Sequence, residues 1–175
     1  MENAFTDENK TWEFDFSKAI WATDRIQKYY ENIKGSFLCD VDFIVEDNHT
    51  LLFIECKNSN FKGVSKPNAF KPVKVNKIED VAKKYYDSIH FVNGVGKGNN
   101  KRFIYIYVVE ARNGNITERK AIRNRLKDRL PFKLQEKFDF VHKLIDKVEV
   151  LSLDEWNHQY PQYPAKRLQE KKWSV

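Results

Sequence analysis

Cysteine is scarce in this sequence, with two in 175 residues, and that scarcity argues against a disulfide-stabilised secreted scaffold. No Cys/His spacing is typical of a zinc site. No apolar run reaches the roughly 18 residues that a membrane-spanning helix needs. Residues 1–5 lack the basic and apolar regions of a secretory signal. We therefore expect a cytoplasmic protein without a membrane partner.

Apolar and aromatic residues are nevertheless abundant. Hydrophobic residues make up 41% of the chain, which includes 13 Phe, 8 Tyr and 4 Trp. That composition is too apolar for a disordered tail, and the length suits one hydrophobic core. We predict a single domain over 1–175, with a core over roughly 18–110 and a basic helical and C-terminal extension over 111–175.

The positive charge is concentrated in two blocks. Lysine and arginine number 31 against 25 acidic residues, a formal net charge of +6. Residues 57–77 hold six lysines and no acidic residue, and residues 118–129 hold six basic residues against two acidic ones. Basic blocks of this kind attract phosphate backbones, although a solvated loop and a solvated helix face explain them equally simply. The residues that we predict to contact nucleic acid are Lys62, Lys66, Lys71, Lys74, Arg119 and Arg123.

Hydrophobic periodicity predicts an α/β fold in the order αββαβααβ, with helices covering a mixed sheet. Ser17 would cap a first helix that ends near Gly35, and Asn76 with Glu79 would form a capping box at the second. The aromatic residues Phe5, Trp12, Phe14 and Phe16 are expected to pack on the sheet. The predicted helices are 17–34, 76–89, 117–130 and about 134–145, and the predicted strands are 37–45, 50–57, 103–109 and 148–153.

Acidic residues and a lysine recur at strand spacing in the first two predicted strands. Strand side chains alternate between faces, so Asp40 and Asp42 share one face, and Glu55 and Lys57 share another. If the hairpin closes on the two-residue loop Asn48–His49, paired residues have numbers that sum to 97. Asp42 then lies opposite Glu55, and Asp40 opposite Lys57, with Cβ atoms about 5 Å apart. The charged side chains would therefore converge at the end of the hairpin.

Two carboxylates held this close repel each other unless one is protonated or a cation lies between them. Mg²⁺ takes oxygen ligands and keeps several waters, so Asp42, Glu55 and the backbone carbonyl of Cys56 would suffice to hold it. Lys57 would orient or help to deprotonate a water bound to the ion, or stabilise charge growing on a phosphate. Asp40 would either contact the residues that bind the ion, without binding it directly, or be exposed to solvent.

This pattern, Asp42 on one strand and Glu55-Cys56-Lys57 at the end of the next, resembles the PD-(D/E)XK nuclease superfamily. Val41 stands where those proteins often carry the proline. The resemblance covers roughly residues 18–110. It implies a restriction-endonuclease-like αββαβ core, and hydrolysis of phosphodiesters, usually in DNA, by attack of a water activated by Mg²⁺ or Mn²⁺. Asp42, Glu55 and Lys57 would be the catalytic residues.

The same resemblance implies further residues and partners. Many members add an acidic residue from the first helix, for which Asp24 is the candidate. Some place a polar or basic residue on the helix after Glu-x-Lys, where Lys83 or Lys84 could serve. A homodimer is compatible with the function, since cutting both strands commonly needs two sites. RNA stays open as a substrate beside DNA.

Simpler readings of the same residues stay open. Alternating charges are common on exposed strands and stabilise little, so the motif could consist of solvated surface charges. Asp24 could lie on a solvated helix face. The chain could therefore be a non-catalytic nucleic-acid-binding or assembly module with a nuclease-like fold, or a protein-interaction domain whose carboxylates are merely surface charges.

Overall fold

The computed structural model describes residues 4–31, 38–63, 70–111 and 114–172. The strands are β1 (Ala4–Thr6), β2 (Trp12–Asp15), β3 (Trp21–Thr23), β4 (Phe43–Glu46), β5 (Thr50–Asn58), β6 (Arg102–Glu110), β7 (Lys147–Leu151) and β8 (Ala165–Arg167). The helices are α1 (Ile26–Glu31), α2 (Val75–Gly94), α3 (Ile116–Arg129), α4 (Phe132–Lys137) and α5 (Leu153–Gln159). No helix in these ranges is long and apolar enough to cross a membrane.

A five-stranded mixed sheet in the order β3-β4-β5-β6-β7 forms the centre of the fold. The β3-β4 and β4-β5 pairs are antiparallel, whereas β5-β6 and β6-β7 are parallel. The parallel pairs require crossovers, which α2 and the α3-α4 segment supply. Strand β5 carries the apolar run 51–54, as expected of a strand covered on both faces. The predicted α/β class with a mixed sheet is confirmed.

Alternate residues of β5 enter two different hydrophobic clusters. Leu51 and Phe53 pack with residues of α2 and α3 on one face. Leu52 and Ile54 pack with β2, α5 and the C-terminal segment on the other face. Glu55 and Lys57 continue the first series, so strand parity directs them toward the helical layer formed by α2 and α3.

A second sheet, in the order β1-β2-β8, covers the other face. Its strands are antiparallel, and β8 comes from the C-terminal part of the chain. The expected packing of the N-terminal aromatic residues on the sheet is confirmed, because Trp12, Phe14 and Phe16 are buried against Phe43 and other residues of β4 and β5. The chain between residues 4 and 15, whose structure the sequence left unclear, is thus a hairpin.

The predicted helix over 17–34 is wrong in its first half. Trp21–Thr23 forms β3, antiparallel to β4, and the Ile20 N–H donates to the Glu46 carbonyl over 2.9 Å. Helix α1 begins only at Ile26, and residues 32–34 lie outside the described part of the chain. The exposed edge of β4 offers backbone partners to a segment whose Trp and Thr suit a strand. Tertiary pairing therefore overrides the weak helical periodicity.

Helix α2 covers the predicted helix but begins differently. Lys74 occupies its N-cap position without a side-chain hydrogen bond, so the expected capping box at Asn76 is wrong. Ile78, Val81, Ala82 and Tyr85, which recur at helical spacing in the sequence, are all buried on one face of the helix. The sequence thus identified the buried face of α2 correctly and its start incorrectly.

The predicted helix over about 134–145 ends at Lys137, where α4 ends. The Gln135 side chain accepts hydrogen bonds from the Leu144 and Ile145 N–H groups and donates to the Ile145 carbonyl, which holds the returning chain against α4. Val141, an apolar residue within the predicted helix, is 91% exposed. A folded-back loop, and not a helix, therefore leads into β7.

The strand predicted over 148–153 ends at Leu151, because Ser152 begins α5. The Ser152 hydroxyl accepts from the Glu155 N–H, and the Glu155 carboxylate accepts from the Ser152 N–H. This reciprocal pair is a capping box, with the Ser-x-x-Glu spacing typical of one. The sequence carried the signal, but the prediction treated the segment as strand.

Candidate functional site

The β4-β5 hairpin has the predicted register. Phe43 pairs with Ile54 and Glu46 with Leu51, so paired residue numbers sum to 97 as the two-residue loop requires. The ladder is shorter than expected, however, because β4 begins at Phe43 and residues 38–42 are not strand. The Val41 N–H donates instead to the Ser88 hydroxyl of α2 over 3.1 Å. Asp40 and Lys57 are consequently not ladder partners.

Asp42 lies at the point where the chain leaves the sheet. Its Oδ2 accepts a hydrogen bond from the Cys56 N–H over 2.6 Å. The side chain thus takes the place of the backbone carbonyl that a longer β4 would have offered to Cys56. The N–H and the carbonyl of one strand residue point to the same side, so the Cys56 carbonyl is also directed toward Asp42. The backbone of β5 thereby holds the Asp42 carboxylate at the end of the hairpin.

Glu55 is buried, with 5% of its surface exposed, and points into the helical layer. The Lys84 ammonium of α2 donates to both of its carboxylate oxygens, over 2.8 and 2.9 Å. Asp42 acts on the same Lys84 electrostatically. The structure therefore brings Asp42, Glu55 and Lys84 together, and of the two helix lysines considered from the sequence it is Lys84 that meets the motif. Lys83 binds Asp87 instead.

Burial dominates the electrostatics of these groups. Burial raises the pKa of Asp42 to about 6, against the opposing effects of Lys84 and the Cys56 N–H. Burial and the neighbouring Asp42 carboxylate raise the pKa of Glu55 to about 8, while Lys84 opposes the shift. Burial lowers the pKa of Lys84, but Glu55 and Asp42 more than compensate, so that its pKa is raised. Lys84 thus binds Glu55 and acts on Asp42 only electrostatically, and both carboxyls hold their protons more readily than an exposed carboxyl does.

Lys57 follows Glu55 on the same face of β5 and is half-buried. It acts electrostatically on Glu55, although no ion pair of Lys57 is present in the described part of the chain. Its ammonium is therefore close enough to influence the carboxylates without being held by them. Its shared face with Glu55 is the one that strand parity predicted.

The remaining acidic candidates, Asp40 and Asp24, differ in whether they influence Asp42, Glu55 and Lys84. Asp40 is half-buried and contributes to the raised pKa of Lys84, so it belongs to the surroundings of the site. Asp24 is exposed and precedes α1, which corrects its expected position in the middle of a helix. No contact among the described residues links Asp24 to Asp42 or Glu55.

Glu8 is a site residue that sequence reasoning missed. It lies in the turn between β1 and β2, is exposed, and acts electrostatically to raise the pKa of Asp42. Asp7, beside it, is buried and has the same effect on the pKa of Asp42. No local sequence signal could have revealed either, because the second sheet must fold over the first to bring this turn to the hairpin end.

The residues that we predicted to contact nucleic acid differ in their exposure. Lys71 and Lys74, before α2, and Arg123 of α3 are exposed. Lys62 is exposed too and pairs with Glu170, whereas Lys66 lies outside the described residues. Arg119 turns inward: its side chain is 11% exposed and pairs with Glu155 over 2.8 Å. Arg119 is therefore a structural residue and unsuited to a surface contact with a phosphate backbone.

Across the described ranges, no group of three or more His, Cys, Asp or Glu side chains is placed to hold a metal ion. The carboxylates that influence each other at the end of the hairpin are those of Asp42 and Glu55. Comparison with protein-family models, with curated proteins and with solved structures gives no match. The geometry of Asp42, Glu55, Lys57 and Lys84 is therefore the basis for a proposed function.

Proposed function

We propose that this chain is a metal-dependent nuclease of the PD-(D/E)XK type that hydrolyses phosphodiester bonds in DNA. The observation that carries the proposal is the convergence of the half-buried Asp42 carboxylate and the buried Glu55 carboxylate, both with raised pKa values, at the end of a hairpin next to Lys57. The segment α1-β4-β5-α2-β6 supports it, because it has the αββαβ order of a restriction-endonuclease-like core.

The residues present are compatible with Mg²⁺ or Mn²⁺. Two neighbouring carboxylates, one buried and one half-buried, favour protonation or a bound cation, and a divalent ion would relieve their repulsion better than one ammonium does. Mg²⁺ commonly binds one or two carboxylates and retains waters, so a site without a third acidic ligand still suits it. A bound ion would supply an activated water and stabilise negative charge on a phosphate.

The chain's own residues then have distinct tasks. Asp42, held by the Cys56 N–H, and Glu55 would hold the ion, with the Cys56 carbonyl as a further ligand. Lys57 would orient the attacking water or stabilise charge on the phosphate. Lys84 would position Glu55 and balance its charge before the ion arrives. Lys71 and Lys74, both exposed, would contact the phosphate backbone.

The test is incubation of the pure protein with duplex, single-stranded and branched DNA, and with RNA, in Mg²⁺, Mn²⁺ or EDTA. We expect DNA cleavage in either metal and none in EDTA. Glu55→Ala and Lys57→Ala should each reduce the rate by at least about 100-fold, a typical effect of losing a catalytic group. Glu136→Ala, at an exposed position of α4, is the matched control and should cleave normally. Cleavage that persists unchanged in Glu55→Ala would refute the mechanism.

A second candidate is a non-catalytic nucleic-acid-binding or assembly module with the same fold. The Lys84–Glu55 pair favours it, because it gives Glu55 a cationic partner without a metal ion. This alternative predicts salt-sensitive DNA binding, no cleavage in any metal, and little effect of Asp42→Ala on affinity. Fluorescence anisotropy at several salt concentrations, together with the cleavage assay, distinguishes the two candidates.

A further inference from the structure

A cavity of about 910 Å³ opens at the edge of the central sheet where β6 and β7 begin. This edge is opposite the one at which Glu55 and Lys57 lie, near the end of β5. Arg102 and Phe103 at the start of β6 line the cavity, and so does the loop 140–144, which leads into β7. Its volume is typical of ligand-binding pockets, which measure roughly 300–1,000 Å³. None of the residues of the candidate carboxylate site lines it, so the two places are separate.

One wall of the cavity is the glycine- and asparagine-rich loop between α2 and β6, and the β4-β5 turn holds this loop in place. The Gly98 N–H donates to the Glu46 carboxylate over 3.3 Å. The Lys101 ammonium donates to the Asp47 and Asn48 carbonyls, over 2.9 Å each. Gly98 has a φ of 74°, in the left-handed region that favours glycine. The wall is therefore formed before a ligand arrives, which lowers the entropic cost of binding.

The opposite wall carries apolar side chains that are exposed to solvent. Phe140 is 44% exposed, Val141 is almost fully exposed, and both line the cavity. Phe138, which is also exposed, lies beside them, with its ring centroid 6.4 Å from that of Phe140. Phe103 contributes a second ring to the lining. Several large apolar side chains exposed together are typical of an interaction surface.

The charged side chains that line the cavity are mostly basic, and they are Lys97, Lys101, Arg102, Lys143 and Asp146. Lys97 pairs with Glu46, and Lys143 lies 3.9 Å from the Asp146 carboxylate. Within the described ranges, no carboxylate pairs with Lys101 or Arg102. None of the residues that adjoin a segment outside those ranges lines the cavity, so this balance is that of the described walls. The excess of positive charge favours an anionic ligand.

We propose that this cavity binds a single-stranded segment of nucleic acid, with a base stacked on the Phe140 ring and phosphates near Arg102 and Lys143. A basic groove with exposed aromatic rings is the general means by which proteins bind single strands. The charges attract the phosphates, and the rings add stacking that any of the bases can use. The choice of nucleic acid over an acidic peptide rests on the proposed nuclease function.

The location suits a strand that also reaches the carboxylates. Arg102 is the register partner of Thr50, and Glu55 lies five residues further along β5, or about 17 Å. At roughly 3.4 Å per nucleotide, about five stacked nucleotides span that distance. A strand held in the cavity would therefore continue to the site of hydrolysis. The nuclease should then prefer substrates that contain a single-stranded part.

The first experiment measures binding without catalysis, in EDTA. A labelled thymidine oligonucleotide of about 12 nucleotides, and an abasic chain of equal length, are titrated with the full chain and followed by fluorescence anisotropy. We expect Phe140→Ala to weaken binding of the thymidine oligonucleotide at least about fivefold, since stacking is lost. Binding of the abasic chain, which cannot stack, should not change. Leu134→Ala removes an exposed apolar side chain that does not line the cavity, and it should change neither.

The charged part of the cavity is tested by Arg102→Gln. The loss of one phosphate contact should reduce the slope of log affinity against log salt by about 0.7 for a single strand. Lys18→Gln removes a positive charge from an exposed residue outside the cavity, and it should leave the slope unchanged. Equal effects of the two changes would mean that the strand is bound by general charge, and the proposal would be wrong.

Further arms identify the occupant. Thermal melting establishes that each variant is folded. If Phe140→Ala does not fold, Val141→Asp, which adds a negative charge to the same wall, replaces it and should weaken binding. A blunt duplex should be insensitive to Phe140→Ala, because its bases are already stacked.

Three results overturn the proposal. The first is oligonucleotide binding that Phe140→Ala leaves unchanged, or no binding at all. The second is an equal effect of Phe140→Ala on the blunt duplex. The third is a glutamate peptide of equal charge that competes as well as the oligonucleotide does, which would assign the cavity to acidic proteins.

The outcome is separable from that of the proposed function. Phe140-dependent binding in EDTA without any cleavage in Mg²⁺ would keep the cavity and reject the nuclease. Cleavage without Phe140-dependent binding would keep the nuclease and reject the cavity. If both hold, duplexes with a single-stranded overhang should be cut faster than blunt duplexes, and Phe140→Ala should remove that preference.

Discussion

At the scale of single residues, the decisive interactions are those of the Glu55 carboxylate with Lys84 and Asp42. Lys84 donates to both of its oxygens, and Asp42 raises its pKa, so the carboxylate is held between an attractive and a repulsive neighbour. In the proposed metal site, an ion bound by Glu55 would have to displace or share the Lys84 contact. The strength of the Lys84–Glu55 pair would therefore affect both the stability of the metal-free protein and the affinity of the proposed site for a cation.

Removing Lys84 should separate these two properties. We expect Lys84→Gln to lower the free energy of unfolding by roughly 2–3 kcal/mol, less than the loss of a fully buried ion pair, because Lys84 is 28% exposed and Glu55 can take up a proton. Affinity for Mn²⁺ should rise severalfold, since a competing cation is gone. Urea unfolding and calorimetry measure the two effects. Lys77→Gln, which removes an exposed pair on the same helix, should change neither.

The raised carboxyl pKa values predict a pH dependence. A group whose pKa is higher in the folded state than its ordinary value stabilises the fold fully below that ordinary value, and the contribution is lost as pH rises through the folded value. For Asp42 the relevant range is 3.8 to about 6, and for Glu55 it is 4.5 to about 8. The metal-free protein should thus lose part of its stability between about pH 4 and 8.

The measurement compares urea unfolding of the unaltered chain and of Glu55→Gln at several pH values in EDTA. The amide introduced by Glu55→Gln cannot ionise, so the stability difference between the two proteins should shift in favour of the variant as the pH rises. Glu136→Gln, at an exposed site, should follow the unaltered chain. A difference that is constant with pH would mean that Glu55 does not titrate in this range.

At the scale of elements, the turn between β1 and β2 connects the second sheet to the candidate site. The buried Asp7 carboxylate accepts from the Thr11 N–H over 2.7 Å, from the Thr11 hydroxyl over 3.0 Å and from the Trp12 N–H over 2.5 Å. These bonds order the turn that carries Glu8. Lys10 completes it in the left-handed region, at φ 52°.

Asp7→Ala should therefore be strongly destabilising, because it leaves several buried donors without an acceptor. We expect a loss of about 2–4 kcal/mol in the free energy of unfolding, measured in urea. Asp15→Ala is the matched control, because Asp15 is hydrogen-bonded only to the exposed Ser17 among the described residues, and its loss should lower the free energy of unfolding by much less. Equal effects of the two changes would show that the turn is not held by Asp7.

At the scale of the whole molecule, both ends of the described chain meet in one sheet. β8 pairs with β2, and Arg167 of β8 binds the buried Glu110 of β6 over 2.5 Å. β7, which lies in the predicted C-terminal extension, pairs with β6 in the central sheet. Residues of the predicted core and of the predicted C-terminal extension therefore share one sheet, and a single domain over 1–175 stays a prediction.

Ending the chain at Pro164 should test that prediction. The truncation removes β8, exposes one edge of β2, and leaves Glu110 without Arg167, so the urea midpoint should fall sharply. The unaltered chain should unfold in one transition, with tryptophan fluorescence and circular dichroism coinciding. Two separate transitions, or a truncated chain of normal stability, would contradict a single cooperative domain.

The sequence alone determined the features that depend on local spacing. Strand parity and a two-residue loop were enough to predict the register of β4 and β5, and the apolar stripe of α2 was enough to predict its buried face. The shared face of Glu55 and Lys57 followed from the same parity. These features need only neighbours along the chain, whose geometry the backbone restricts tightly.

The tertiary structure decided what depends on contacts between distant segments. Pairing with β4 made a strand of Trp21–Thr23, where periodicity suggested a helix. Docking of α2 selected Lys84 over Lys83 as the partner of Glu55, and the folding-over of the second sheet brought Glu8 near Asp42. Burial in these contacts, which no local pattern specifies, is also what raises the carboxyl pKa values that make the site a candidate for metal-dependent chemistry.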